Sequence, residues 1–326
     1  MSFSFNSDDF MLKNETARRL FHSYCETLPI IDYHCHLSPK EIYEDRRYNN
    51  LTEVWLGGQT EDGSYVGDHY KWRLMRSNAV PEKYVVGNNA PYKRFQKFAE
   101  TLELSIGNPM YHWCHLELKK YFGITEPLTT ETAPRIWKKT SSMLQSDPDL
   151  TVRGIIRKSH VAFVGTTDDP IDNLEWHEKL AAEDLGFMVC PSFRPDKAIN
   201  IQRPDFTEYM EKLAASVNRS TFTSIEEVMD ALAERLDFFI SHGCRASDHG
   251  LDYIPFNECT IKKANEIFTR AMSGKSLTTD EIEKYQTTIL SRLARLYAEK
   301  NIVMELHYSS LHNLLQSPLP CGIMKL

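Results

Sequence analysis

Between residues 161 and 308, short apolar runs alternate with longer amphipathic stretches, and this rhythm restricts the fold more than any other feature of the chain. The pattern predicts a strand over 161–167, a helix over 173–184 and a second strand over 186–191. Helices are predicted over 206–217 and 225–241. The second carries Ser224 and Glu227 at capping-box spacing and ends before Gly243. Residues 244–249 read as the end of a further strand. A long helix opens at Thr278, with Glu281 three residues on and Ile282, Tyr285, Ile289, Leu293 and Leu296 as its buried stripe. Residues 301–308 close the series as a strand. Strands separated by helices imply a parallel sheet with helices packed outside it.

Upstream, 15–27 reads as an amphipathic helix with Ala17, Leu20, Phe21 and Tyr24 on one face, followed by an apolar strand ending in Asp32-Tyr33-His34-Cys35-His36. From 38 to 150 no convincing strand is found. That stretch reads as a helical insertion with one polar, glycine-rich loop over 57–67.

Polar residues gather where the strands end: His34 and His36, Thr166 to Asp169, Arg194, Asp248 and His249, and His307. In a (β/α) barrel that end carries the active site. His-x-His on a strand points both imidazoles to one face, where a divalent metal can bind each at about 2.1 Å. The same pair could be one buried, hydrogen-bonded histidine and one exposed. Arg194 could grip a carboxylate through two parallel hydrogen bonds, or pair with nearby Asp196. Tyr70 could donate a proton to a substrate oxygen and His69 could bind a hydroxyl, although both also fit the start of an interior helix. Asp168 and Asp169 read as caps for the helix at Asn173. Asp248 could hold His249 in one tautomer or cap the following turn.

Composition narrows the class. With 41% hydrophobic and 25% charged residues among 326, the chain is a globular protein rather than a disordered one. A net charge of −7 and Lys/Arg runs no longer than two give no footprint for nucleic acid. No apolar run approaches the roughly 18 residues of a membrane helix, and Met1 to Phe10 has no secretory pattern. Seven scattered cysteines without C-x-x-C spacing fit reduced thiols, so a cytoplasmic location is expected.

Several segments together resemble one family. Ile31-Asp32-Tyr33-His34-Cys35-His36, Asp68-His69-Tyr70-Lys71-Trp72-Arg73, Thr166-Thr167-Asp168-Asp169-Pro170, Pro191-Ser192-Phe193-Arg194-Pro195-Asp196, the run from His242 to Gly250, and Met304-Glu305-Leu306-His307 look like uronate (glucuronate) isomerase, a branch of the amidohydrolase superfamily. The resemblance implies an α/β fold of the (β/α)8 TIM-barrel type, distorted, with a helical insertion after strand 1. It implies interconversion of D-glucuronate with D-fructuronate and of D-galacturonate with D-tagaturonate, and zinc as the usual metal. By the same resemblance His34 and His36 hold the metal, and His307 sits at the metal or the substrate. Tyr70 and His69 contact the reacting end of the sugar acid, and Arg194 binds its carboxylate. His249 is expected at the substrate. The partner is a small sugar acid, and a homo-oligomer is allowed. A metal-dependent hydrolase of the same superfamily, or an inactive truncated fragment, remain as alternatives.

The family pattern runs on to an eighth strand with a Thr-Asp-Ser-Arg segment, for which this sequence has no counterpart. Its residues after His307, Tyr308 to Leu326, read as neither a strand–helix unit nor a stable tail. The expectation is therefore a single barrel-type domain with about five of eight strands.

Overall fold

The computed structural model describes residues 5–59, 65–87 and 89–308. The middle of the expected glycine-rich loop, and the ending past Tyr308, lie outside the described residues. The chain divides into two compact units. The first takes the described residues up to Ile30 and those from Glu41 to Val161; the second takes Ile31–Lys40 and the described residues from Ala162 onward.

The first unit is helical, as its sequence predicts. Its main helices, Pro91–Glu103, Pro109–Phe122 and Ala133–Ser146, all carry proline in the first turn, where the missing N–H costs nothing. Gly123 closes the second of them at φ +59°, a left-handed cap that favours glycine. Trp55 stacks on Phe95 and meets Phe98 edge-on in the core. Buried Arg94 donates to the carbonyls of Gly57, Tyr84 and Val85, which fixes the start of the glycine-rich loop. A short antiparallel ladder, β2 (Gly58–Gln59) with β3 (Tyr65–Val66), closes that loop where no strand was expected.

The helix expected over 15–27 forms as Glu15–Leu20 followed by a π-turn over Phe21–Cys25, but it buries no side chain. Leu20 is 49% and Tyr24 62% exposed. Periodicity marks a face that can be buried; burial also needs a partner surface.

The second unit is α/β. Its strands are β1 (Ile30–Asp32), β4 (Val161–Gly165), β5 (Met188–Cys190), β6 (Ala246–Leu251) and β7 (Val303–Tyr308). Beyond β1, Cys35 N–H donates to Gly165 O at 2.8 Å. β4 and β5 run parallel with Gly165 opposite Cys190, and β6 and β7 run parallel with Asp248 opposite Glu305. Phe193, just past β5, bridges Asp168 on one side and Ser247 on the other. The strands thus follow one another in chain order, β1-β4-β5-β6-β7, with their C-terminal ends together. Among the described residues these strands pair as β1-β4-β5 and β6-β7, joined by the bridges of Phe193.

Helices between the strands supply the core. Thr279–Glu299 opens with the full capping box expected of Thr278 and Glu281. It buries Tyr285, Ile289, Leu293 and Tyr297, while Ile282 and Leu296 are half-buried at the stripe's edge. At the helix Ile225–Ser241 only half of the predicted box forms. Ser224 accepts from Glu227 N–H, but the Glu227 carboxylate takes Thr223 N–H instead. The sequence pattern passed over the helix Ile261–Met272, which Thr260 caps. No helix among the described residues is long and apolar enough to cross a membrane.

Candidate metal centre

The second unit gathers its polar strand ends into one cluster, and the gathering begins with backbone geometry. β1 passes so close to β4 that a Cβ on Gly165 would meet Tyr33 O at 2.6 Å. After β1, Cys35 is held through its N–H by Gly165 and through its carbonyl by the Thr167 hydroxyl, which donates at 3.2 Å. His34 and His36 flank this anchored residue and project together. Their Nε2 atoms lie 3.1 Å apart, with the rings nearly perpendicular. Burial lowers the pKa of His36, and the nearby His34 lowers it further. A neutral imidazole is the form that ligates metal.

Asp248 lies at the centre and is fully buried. Its Oδ1 is 3.0 Å from His307 Nε2 and 3.6 Å from His34 Nδ1, and its Oδ2 is 3.0 Å from Arg194 Nη1. These are ion-pair distances without hydrogen-bond alignment: both carboxylate oxygens and His307 Nε2 are buried with no aligned hydrogen-bond partner. Polar atoms orphaned in this way call for a positive partner. The donor atoms of His34, Asp248 and His307 lie within 4.8 Å of one another. Imidazole nitrogen is a donor that a zinc-like divalent ion accepts, and a buried carboxylate beside it supplies compensating charge, so the cluster fits the expected metal. Burial lowers the pKa of His307.

Arg194 follows β5, and its N–H donates to Asp168 O at 2.9 Å. Its Nε donates to Asp196 at 2.8 Å, so the pairing with Asp196 that its spacing allowed is formed, alongside the contact to Asp248. Gly250 makes room for this arrangement. A Cβ there would run into Arg194 Nη2 and come within 2.9 Å of His307 Cε1.

His249 does not join the cluster. Neighbours on a strand point to opposite faces, so with Asp248 turned inward His249 turns toward the helix layer. It is fully buried, with its ring 5.6 Å from that of Tyr297, and burial pushes its pKa down to about 4. Both ring nitrogens of His249 are buried with no aligned hydrogen-bond partner, so Asp248 does not hold its tautomer, and the ring expected at the substrate is turned toward Tyr297. Nor do Asp168 and Asp169 cap the helix at Asn173. Asp168 is buried against Thr166, whose hydroxyl donates to it at 2.6 Å and also meets His177 Nε2 at 2.8 Å. Asp169 accepts from Tyr209 OH, and the helix there runs Glu175–Ala181 with Leu174 as its N-cap residue, while Asn173 Oδ1 accepts from Glu175 N–H.

His69 and Tyr70 belong to the first unit, where they open the helix His69–Ser77. Asp68 caps that helix by accepting from the N–H groups of Tyr70 and Lys71. Tyr70 is 45% exposed, its ring is 4.3 Å from that of His69, and burial lowers the pKa of His69.

Glu305 was not singled out in the sequence. In register with Asp248, it brings Oε2 to 3.9 Å from His34 Nδ1. Burial, and then the Asp248 charge, push its carboxyl up to about 7. Period two back from His307 would have placed it on the same face.

The family model described as glucuronate isomerase matches residues 2–319. The chain is 44% identical to the uronate isomerase of Lachnospira eligens and 46% identical to that of Caldicellulosiruptor saccharolyticus. Each match covers 95% of this chain and 64% of the relative, so the chain spans about two thirds of the length of these proteins. Among solved structures, the uronate isomerase of Thermotoga maritima aligns with TM-score 0.84 and 33% identity over 94% of this chain and 65% of its own. The glucuronate isomerase of Caulobacter crescentus shares the fold, with TM-score 0.80 at 22% identity over 94% of this chain and 63% of its own.

Proposed function

Because the chain belongs to the glucuronate isomerase family, we propose that its second unit carries a metal-assisted aldose–ketose isomerase site for hexuronates. On this reading it interconverts D-glucuronate with D-fructuronate, and D-galacturonate with D-tagaturonate. We read the parallel array as an arc of a distorted (β/α)8 barrel, since its strands follow chain order and present their C-terminal ends together. The observation that carries the proposal is the convergence of His34, His36, Asp248, Arg194 and His307 at those ends.

The isomerisation moves a proton from C2 to C1 of the open-chain sugar. A base takes the C2 proton while the C1 carbonyl oxygen gains one, giving a cis-enediol. Delivery of a proton to C1 and loss of the O2 proton then give the ketose. His34 and His36 are the residues we assign to the metal, zinc by family resemblance. When bound there, a divalent ion would polarise the sugar carbonyl and offset negative charge on its oxygen. We assign proton movement to His307. Its lowered pKa keeps the imidazole neutral and able to accept, and Asp248 at 3.0 Å stabilises the cation that forms. Arg194 is assigned to the substrate carboxylate. Asp196 and Asp248 engage Nε and Nη1, while neither ion pair uses Nη2. A hydrolase would use the His-x-His pair equally well but has no need of a carboxylate-binding arginine.

The test is conversion of D-glucuronate by the purified 326-residue chain, followed by NMR, with zinc removed and then restored. Conversion that follows zinc is expected. Folded, zinc-loaded chain that leaves D-glucuronate unchanged overturns the assignment of activity to this chain.

A further inference from the structure

The two ring nitrogens of His34 face different partners. Nε2 faces His36 Nε2 at 3.1 Å, whereas Nδ1 faces the carboxylates of Asp248 at 3.6 Å and Glu305 at 3.9 Å. A neutral imidazole that gives one nitrogen to a cation carries its proton on the other, and an acceptor for that proton fixes both tautomer and ring plane. The His36 side is therefore the metal side, and the carboxylate side is its support.

Two carboxylates stand at that support, and their other neighbours separate them. Asp248 already faces His307 with Oδ1 and Arg194 with Oδ2, each at 3.0 Å. Glu305 stands beside it in register on β7, with its side chain 16% exposed and Oε2 turned to His34. The ion-pair partner that this partly sheltered carboxylate faces is His34 Nδ1. A swing of roughly 1 Å brings it within hydrogen-bond reach.

We propose that Glu305 is a positioning residue for the metal seat, which holds His34 through Nδ1 so that Nε2 is presented to the ion shared with His36. This rests on the metal reading above. Glu305 touches neither metal nor substrate, and it sets the affinity and symmetry of the seat.

Cobalt(II) titration of metal-free chain tests the role, read by visible absorption and by equilibrium dialysis with metal analysis. The variants are Glu305→Gln, which keeps a neutral acceptor, Glu305→Met, which removes it, and His36→Asn. Thermal unfolding of each metal-free variant reports the fold, and Glu305→Gln alone decides if Glu305→Met does not fold. The expected result is cobalt affinity falling in the order Glu, Gln, Met, by about tenfold or more at the last step, with a changed absorption band and unchanged metal-free melting. Equal affinity and identical spectra across Glu, Gln and Met, with His36→Asn impaired, overturn the role of Glu305 and leave the seat intact. No cobalt binding by the unsubstituted chain, or binding indifferent to His36→Asn, removes the seat and the role with it.

Discussion

The Nε2 atoms of His34 and His36 lie 3.1 Å apart. Two neutral imidazoles cannot both aim lone pairs across so short a gap unless something positive lies between them, either a proton on one ring or a metal bound by both. Ligands about 2.1 Å from one ion sit about 3.0 Å from each other in octahedral geometry and about 3.4 Å in tetrahedral geometry, so a shared ion suits this gap. Zinc held at a hundredfold excess over its Kd should therefore stabilise the chain by about 2.7 kcal/mol. The double variant His34→Asn/His36→Asn should gain nothing. Thermal melting with zinc and after chelation measures the difference, and equal zinc stabilisation of both proteins would place the ion elsewhere.

Arg194 combines a backbone hydrogen bond to Asp168 with ion pairs to Asp196 and Asp248. A guanidinium can keep those pairs and still present a planar donor edge to a carboxylate, whereas a lysine ammonium cannot. Arg194→Lys should raise the KM for D-glucuronate about tenfold or more, roughly the 1.4 kcal/mol of one charge-assisted hydrogen bond. Steady-state kinetics decide. An unchanged KM with a lowered kcat would move Arg194 from substrate binding to the chemical step.

Asp168 and His177 share a buried network through the Thr166 hydroxyl. Burial pushes Asp168 up to about 7 and His177 down to about 4. Asp168 keeps a proton in the native state that the unfolded chain releases near pH 3.9. Its contribution is therefore whole at low pH and is lost as pH rises through about 7. His177 refuses a proton that the unfolded chain accepts below about 6.5. Its contribution is whole above that pH and is lost as pH falls toward about 4. Between about pH 4 and 6.5 the two slopes cancel. His177→Gln removes one of them, so its stability relative to the unsubstituted chain should fall by about 1.4 kcal/mol per pH unit across that window. Urea unfolding at several pH values measures this, and a pH-independent difference would show that the two groups do not titrate this way.

Phe193 joins the two halves of the parallel array through its backbone and packs its fully buried ring edge-on against Phe239 at 5.1 Å. Phe193→Ala should cost about 3–5 kcal/mol, the sum of lost burial and a cavity that a strand-bound backbone cannot close. A loss below about 1 kcal/mol in denaturant unfolding would mean that the ring is not part of a close-packed core.

Local chemistry made much of this protein legible in its sequence. Helix starts at Ser224 and Thr278 and the strand-ending His34-x-His36 are decided within a few residues, where spacing and hydrogen-bond chemistry act directly. The period of the apolar residues likewise announced a parallel array, because a strand buried between helix layers must be apolar along its length. Tertiary structure decided what periodicity leaves open. Which of Asp248 and His249 faces the metal centre is a one-residue question of strand register, and only pairing with β7 and Phe193 fixes it. Glu305 could acquire a role only when β7 was laid beside β6 and its carboxylate came next to His34, far away in the chain. The exposed face of the helix at Leu20 and Tyr24 shows the same limit from the other side. A sequence states which surfaces are able to be buried, while the arrangement of the whole chain determines which of them find a partner.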